Sequence, residues 1–100
     1  MIKIYYYKDG FKVSGHAGGK KGQDIVCAGV SAIVQTAIIG IGHVANIPQT
    51  VTEDKDSMET KWEARNIPLA VIEKTMKLGL EEIAKRYKDK VRIIDLSEEV

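Results

Sequence analysis

The sequence predicts an α+β fold, a two-layer sandwich with elements in the order β-β-α-β-β-α-β. Three observations carry this. Alternating apolar and polar residues near the N-terminus are broken by a tight turn. A long uncharged apolar stretch follows a glycine-rich loop. A second hairpin pattern then leads into an amphipathic helix and a last apolar strand. Ile2, Ile4 and Tyr6 alternate with Lys3, Tyr5 and Tyr7, and Asp9-Gly10 interrupts the pattern before Phe11 and Val13, which gives two strands of a hairpin. Asp24 is a favoured N-cap residue, so a helix is expected from Ile25 through Ile39, ended by Gly40-Ile41-Gly42 and the later Pro48.

Val51-Thr52-Glu53 and Met58 to Glu63 flank the polar run Asp54-Lys55-Asp56-Ser57 and form a second hairpin. Asn66 followed by Pro68 starts a helix in which Leu69, Ile72, Met76, Leu80, Ile83 and Tyr87 recur every three or four residues. Val91, Ile93 and Ile94 make a final strand, and the acidic tail is expected to fray. Both helices are expected on one face of a largely antiparallel sheet whose other face stays wet. The first helix is apolar on nearly every side, more than one sheet can cover, so a homodimer is expected.

One hundred residues with 44% hydrophobic and 29% charged side chains fit a single domain, residues 1–100. Fifteen Lys and Arg against fourteen Asp and Glu leave a net charge of +1, which argues against direct nucleic-acid binding and against a polybasic membrane anchor. One cysteine excludes an intrachain disulfide framework and any zinc site needing two cysteines from one chain, and it fits a reduced, cytoplasmic protein. The first residues lack the pattern of a signal peptide. Residues 25–52 carry no Lys, Arg, Asp or Glu and exceed the roughly 20 residues that cross a bilayer. Ser31, Gln35, Thr36, Gly40, Gly42 and His43 dilute that run, and a buried core helix explains it better than a membrane span.

Reactive residue types concentrate between Ser14 and Ile33. With Asp24 as N-cap, Cys27 is the third helical residue, beside backbone N–H groups and the positive end of the helix dipole, where a thiolate is favoured. His16 ends the second strand, and the loop between can fold back so that imidazole and sulfur meet. His16 would then take the thiol proton and later return one to a leaving amine, while N–H groups at the helix start hold the oxyanion. The plain alternative makes Cys27 a small core hydrophobe and His16 a surface residue. The Asp24 carboxylate is expected to cap the helix, with orientation of His16 as its other role. Ser31 lies one turn beyond Cys27 on the same face, where its hydroxyl would bond the Cys27 carbonyl or the sulfur. Glycines 15, 18, 19 and 22, with Lys20 and Lys21, match neither phosphate-binding glycine pattern, so no nucleotide is expected. His43 falls near a helix end with no metal-ligating partners in view, and neither a metal nor a cofactor is expected.

Gly15-His16-Ala17, a short glycine-rich loop and Gly22-Gln23-Asp24-Ile25-Val26-Cys27-Ala28-Gly29-Val30-Ser31-Ala32 resemble the Prp family of bacterial ribosomal-processing cysteine proteases. The motif spans about a fifth of the chain, and the element order over the rest is similar to that family's small dimeric α+β fold. The resemblance implies that Cys27 is the nucleophile and His16 its base. It places Asp24 and Ser31 at the motif's other polar positions and makes the loop with Gly15, Gly18, Gly19 and Gly22 a movable cover over the substrate. It also implies the substrate: the precursor of a large-subunit ribosomal protein, whose N-terminal extension is removed after a pair of aromatic residues. The loop here is one residue shorter than in some relatives, and Gly18-Gly19-Lys20-Lys21 replaces more acidic or aromatic residues, which bears on substrate preference. Two other functions use the same residues: a non-enzymatic ribosome-associated binding module, and a redox-sensing thiol protein.

Overall fold

A computed structural model describes residues 1–16 and 24–98. Its elements are β1 (Ile2–Tyr7), β2 (Gly10–Ser14), α1 (Ile25–His43), β3 (Gln49–Glu53), β4 (Ser57–Trp62), α2 (Ile67–Arg86) and β5 (Val91–Asp95). The strands form one sheet in the order β3-β4-β2-β1-β5. All neighbours are antiparallel except β1 and β5, which run parallel because α2 carries the chain across between β4 and β5.

The alternation in β1 sets the inner face. Ile2, Ile4 and Tyr6 are buried, and Ile4 and Tyr6 lie opposite Val13 and Phe11 of β2. Thr60 and Trp62 of β4 and Val91 of β5 continue the same face. The helices cover it and contribute to one hydrophobic core: α1 through Val26, Val30, Val34, Ala37 and Ile41, α2 through Leu69, Met76 and Leu80. Burial, with Glu81 and Asp95 nearby, pushes the Tyr6 phenol well above its usual range. The outer face keeps the polar residues, and there Tyr5 and Tyr7 stack at 6.5 Å with Lys61 Nζ 5.3 Å from the Tyr7 ring centre.

The first helix is long and apolar enough to cross a membrane. Its stripe at Val26, Val30, Val34, Ala37 and Ile41 is instead spent on the core, while Ile25 and Ile39 lie exposed on other sides. One expected boundary is corrected. Gly40 and Gly42 do not end α1, which runs on to His43. A Cβ at Gly40 would stand only 3.3 Å from Ile72 Cδ1, so this glycine serves close approach of α2 and not termination. The helix ends where Val44 and Ala45 both donate to the Gly40 carbonyl and Asn46 takes a positive φ of 56°.

Candidate active site

The chain reaches the site along β2. Ser14 pairs with Ser57 at the far end of the β2–β4 ladder, and Gly15 then donates its N–H to the Asp56 carbonyl at 2.9 Å. Gly15 has φ of +91°, and a Cβ there would stand 2.3 Å from the Met1 carbonyl oxygen. Only glycine suits this position. The turn it allows sets His16 beside the start of α1, and residues 17–23, which include Gly18, Gly19 and Gly22 of the expected cover, lie outside the described residues.

Cys27 is the third residue of α1, half-buried, and Asp24 stands at the cap position. One ligating atom each of His16, Asp24 and Cys27 lie within 4.8 Å of one another, so the structure brings these three expected residues together. An imidazole, a carboxylate and a thiol could serve as three metal ligands, and proton transfer between thiol and imidazole needs hydrogen-bond reach, a closer approach than the 4.8 Å that bounds this cluster.

Asp24 departs from its expected role. Its side chain makes no cap hydrogen bond, and among the described residues its Oδ1 is buried without a hydrogen-bond partner. The physical reason is its backbone, at φ −89° and ψ 52°, away from the extended conformation from which a cap side chain reaches back to the first turn. The first bond in α1 runs from the Ala28 N–H to the Asp24 carbonyl, so the Ile25 and Val26 N–H groups have no intrahelical acceptor. Ser31 lies in the same cleft, and its hydroxyl accepts a hydrogen bond from Gln35 Nε2 at 2.9 Å.

One polar residue of the site escaped the sequence. His16 Nε2 lies 2.6 Å from Oδ1 of Asp56, in the turn between β3 and β4. Asp54-Lys55-Asp56-Ser57 reads as an ordinary polar turn, and only the β2–β4 register, with Ser14 against Ser57, reveals that it abuts the end of β2. The cleft holding these groups has a volume of about 200 Å³. A larger groove of about 600 Å³ lies between α1 and α2, lined by Ile33, Val44, Val71 and Ile72 among others, and holds neither nucleophile nor base. Chemistry, not size, picks the site.

Comparisons with known proteins bear on the fold and the family. The structure is similar to the essential ribosomal processing protease Prp from S. aureus in complex with a covalently linked product peptide. That match has 24% identity, covers 94% of this chain and 96% of that one, and gives a TM-score of 0.83. The same protease in complex with a substrate peptide matches at 22% identity, with equal coverage and a TM-score of 0.79. SMU.848 from Streptococcus mutans matches at 19% identity over 97% and 93% of the two chains, with a TM-score of 0.77. These likenesses concern the fold. No curated protein matches the sequence. Residues 1–92, however, match the family described as cysteine protease Prp, and the chain therefore belongs to the Prp family of cysteine proteases.

Proposed function

We propose that this cysteine protease removes the N-terminal extension of a large-subunit ribosomal protein precursor, with Cys27 as nucleophile and His16 as its base. The observation that carries the reading is the closeness of thiol, imidazole and Asp24 carboxylate at a helix start where Asp24 makes no side-chain cap bond. The S. aureus relative, a ribosomal processing protease held with substrate and product peptides, supports the choice of substrate.

His16 takes the Cys27 proton, and the thiolate attacks the scissile carbonyl, forming the C–S bond and a tetrahedral oxyanion. N–H groups at the start of α1 and the positive end of its dipole stabilise that charge, a contribution of roughly 3 kcal/mol per donor. The imidazolium then gives its proton to the amine as the C–N bond breaks, leaving a thioester. Water, losing a proton to His16, attacks the thioester, the C–S bond breaks to release the carboxylic acid, which ionises in solvent, and the thiolate takes the proton back from His16. Asp24, beside both groups, stabilises the imidazolium, and Ser31 with Gln35 lines the same cleft as Cys27.

The reaction belongs in the cytoplasm, where the thiol stays reduced and ribosomal precursors are made. Two copies associate through the α1–α2 groove. Its apolar lining, with Val44 and Val71 exposed, supports this reading. Light scattering on wild type and Val71→Glu checks this, the variant being expected to run as a monomer.

Incubating wild type and Cys27→Ala with the full-length precursor, and reading the products by mass spectrometry, tests the function. A single cut, absent with the variant, is expected. Cleavage by Cys27→Ala overturns the assignment of the nucleophile, and an intact precursor with folded wild type overturns the substrate and favours a binding role.

A further inference from the structure

We propose that Asp56 is the positioning residue for His16, fixing the tautomer and direction of the ring that serves Cys27. The inference deepens the protease reading and rests on it.

Three facts converge. The Asp56 carboxylate lies 2.6 Å from His16 Nε2. The Asp56 carbonyl accepts the Gly15 N–H at 2.9 Å, so one residue holds both the ring and the backbone next to it. The turn is itself anchored, since Asp54 donates to the Ser57 carbonyl at 2.8 Å and Ser57 pairs with Ser14.

A carboxylate can only accept, so Nε2 carries the proton of this bond and neutral His16 keeps its lone pair on Nδ1. Nδ1 is then the nitrogen that takes the thiol proton. Without Asp56 the ring can rotate about its side-chain bonds and hold the other tautomer, and part of the population presents an N–H to the sulfur. Asp56, not Asp24, makes the short bond to the ring. Asp24 stands near the same cluster, yet one of its carboxylate oxygens is buried with no hydrogen bond among the described residues.

Exposure makes the idea testable. The side chains of His16 and Asp56 are 65% and 55% exposed, and a bond so open to water adds little to stability. Loss of turnover in an Asp56 variant is therefore not loss of fold, which a thermal melt verifies.

The variants are Asp56→Ala, Asp56→Asn and Asp56→Glu, beside His16→Ala. Cleavage of a precursor-derived peptide gives kcat and KM, and the rate of Cys27 alkylation by iodoacetamide at pH 7 reports the thiol without any substrate. Asp56→Ala is expected to lower kcat by about 10- to 100-fold with KM within about twofold, below the roughly 10⁴-fold loss of altering a buried orienting carboxylate. Alkylation slows in parallel, Asp56→Glu restores most of both rates, and Asp56→Asn falls between. If Asp56→Ala matches wild type in alkylation while His16→Ala is slowed, the positioning role is overturned and the Cys-His pair stands. If His16→Ala also alkylates like wild type, the pair itself fails and Asp56 with it. Should wild type cleave nothing, the substrate reading fails, and alkylation alone still decides on Asp56.

Discussion

The two helices begin alike in sequence and differently in structure. Each has a short polar residue at the cap position, Asp24 or Asn66, and an isoleucine as its first helical residue. Asn66 has extended backbone at φ −145° and ψ 176°, accepts from the Leu69 N–H at 2.9 Å and donates to the Ala45 carbonyl at 2.8 Å. Pro68 in the first turn removes a donor that needs no partner. Asp24 does none of this. At the third helical position α2 places Leu69, fully buried, and α1 places Cys27, at the wall of a cleft. A helix start whose donors are satisfied from within is a structural end, whereas one that its own cap residue leaves unbonded beside a thiol keeps its positive field for a ligand's developing charge.

The third position gives the widest separation between the helices. Cys27→Ala is expected to reduce peptide cleavage by at least about 10³-fold, since no other thiol can form the thioester, while the urea unfolding midpoint barely moves. Leu69→Ala is expected to cost about 2–5 kcal/mol of stability by leaving a hole in the core, with the folded fraction cleaving normally. A Leu69→Ala enzyme that is stable but inactive breaks the comparison, as does a Cys27→Ala protein that unfolds.

Buried carboxylates repeat the contrast at smaller scale. Glu73 of α2 is 8% exposed and ion-paired to Arg65, which also donates to the Lys8 carbonyl and so ties α2 to the β1–β2 turn. Arg65→Ala leaves that carboxylate unpaired and is expected to cost about 1–2 kcal/mol, discounted because the guanidinium is partly exposed. Adding Glu73→Gln should recover part of the loss, and a double-mutant cycle by denaturant unfolding measures it. Purely additive losses would mean that the pair contributes nothing.

Local signals carried most of the fold. Alternation in Ile2, Ile4 and Tyr6, and the 3–4 spacing of Leu69, Ile72, Met76 and Leu80, follow from which face each residue buries, and both faces came out as expected. The glycine at 40 misled because its reason is Ile72 in another helix, which no local pattern shows. His16, Asp24 and Cys27 were legible because they lie within one short motif. Asp56 was not: forty residues separate it from His16, and the β2–β4 register alone brings them together. The failed cap at Asp24 was hidden for a similar reason, since the residue type suits capping and only the backbone angles forbid it.

Those two cap residues give the smallest and most discriminating test. Asn66→Ala removes the bond to Leu69 and the one to Ala45 and is expected to lower stability by about 1 kcal/mol, with kcat unchanged. Asp24→Ala breaks no cap bond and removes a buried oxygen that has no partner among the described residues, so its stability change should be smaller than that of Asn66→Ala. Its effect belongs to the reaction. When His16 takes the thiol proton, a cation forms within reach of the Asp24 carboxylate, whose buried oxygen has no partner among the described residues. Asp24→Ala should therefore cut kcat several-fold while its melting temperature holds or rises. Urea unfolding and steady-state cleavage on both variants read the two axes, and an Asp24→Ala protein destabilised as much as Asn66→Ala, with full activity, would show that α1 starts as an ordinary capped helix after all.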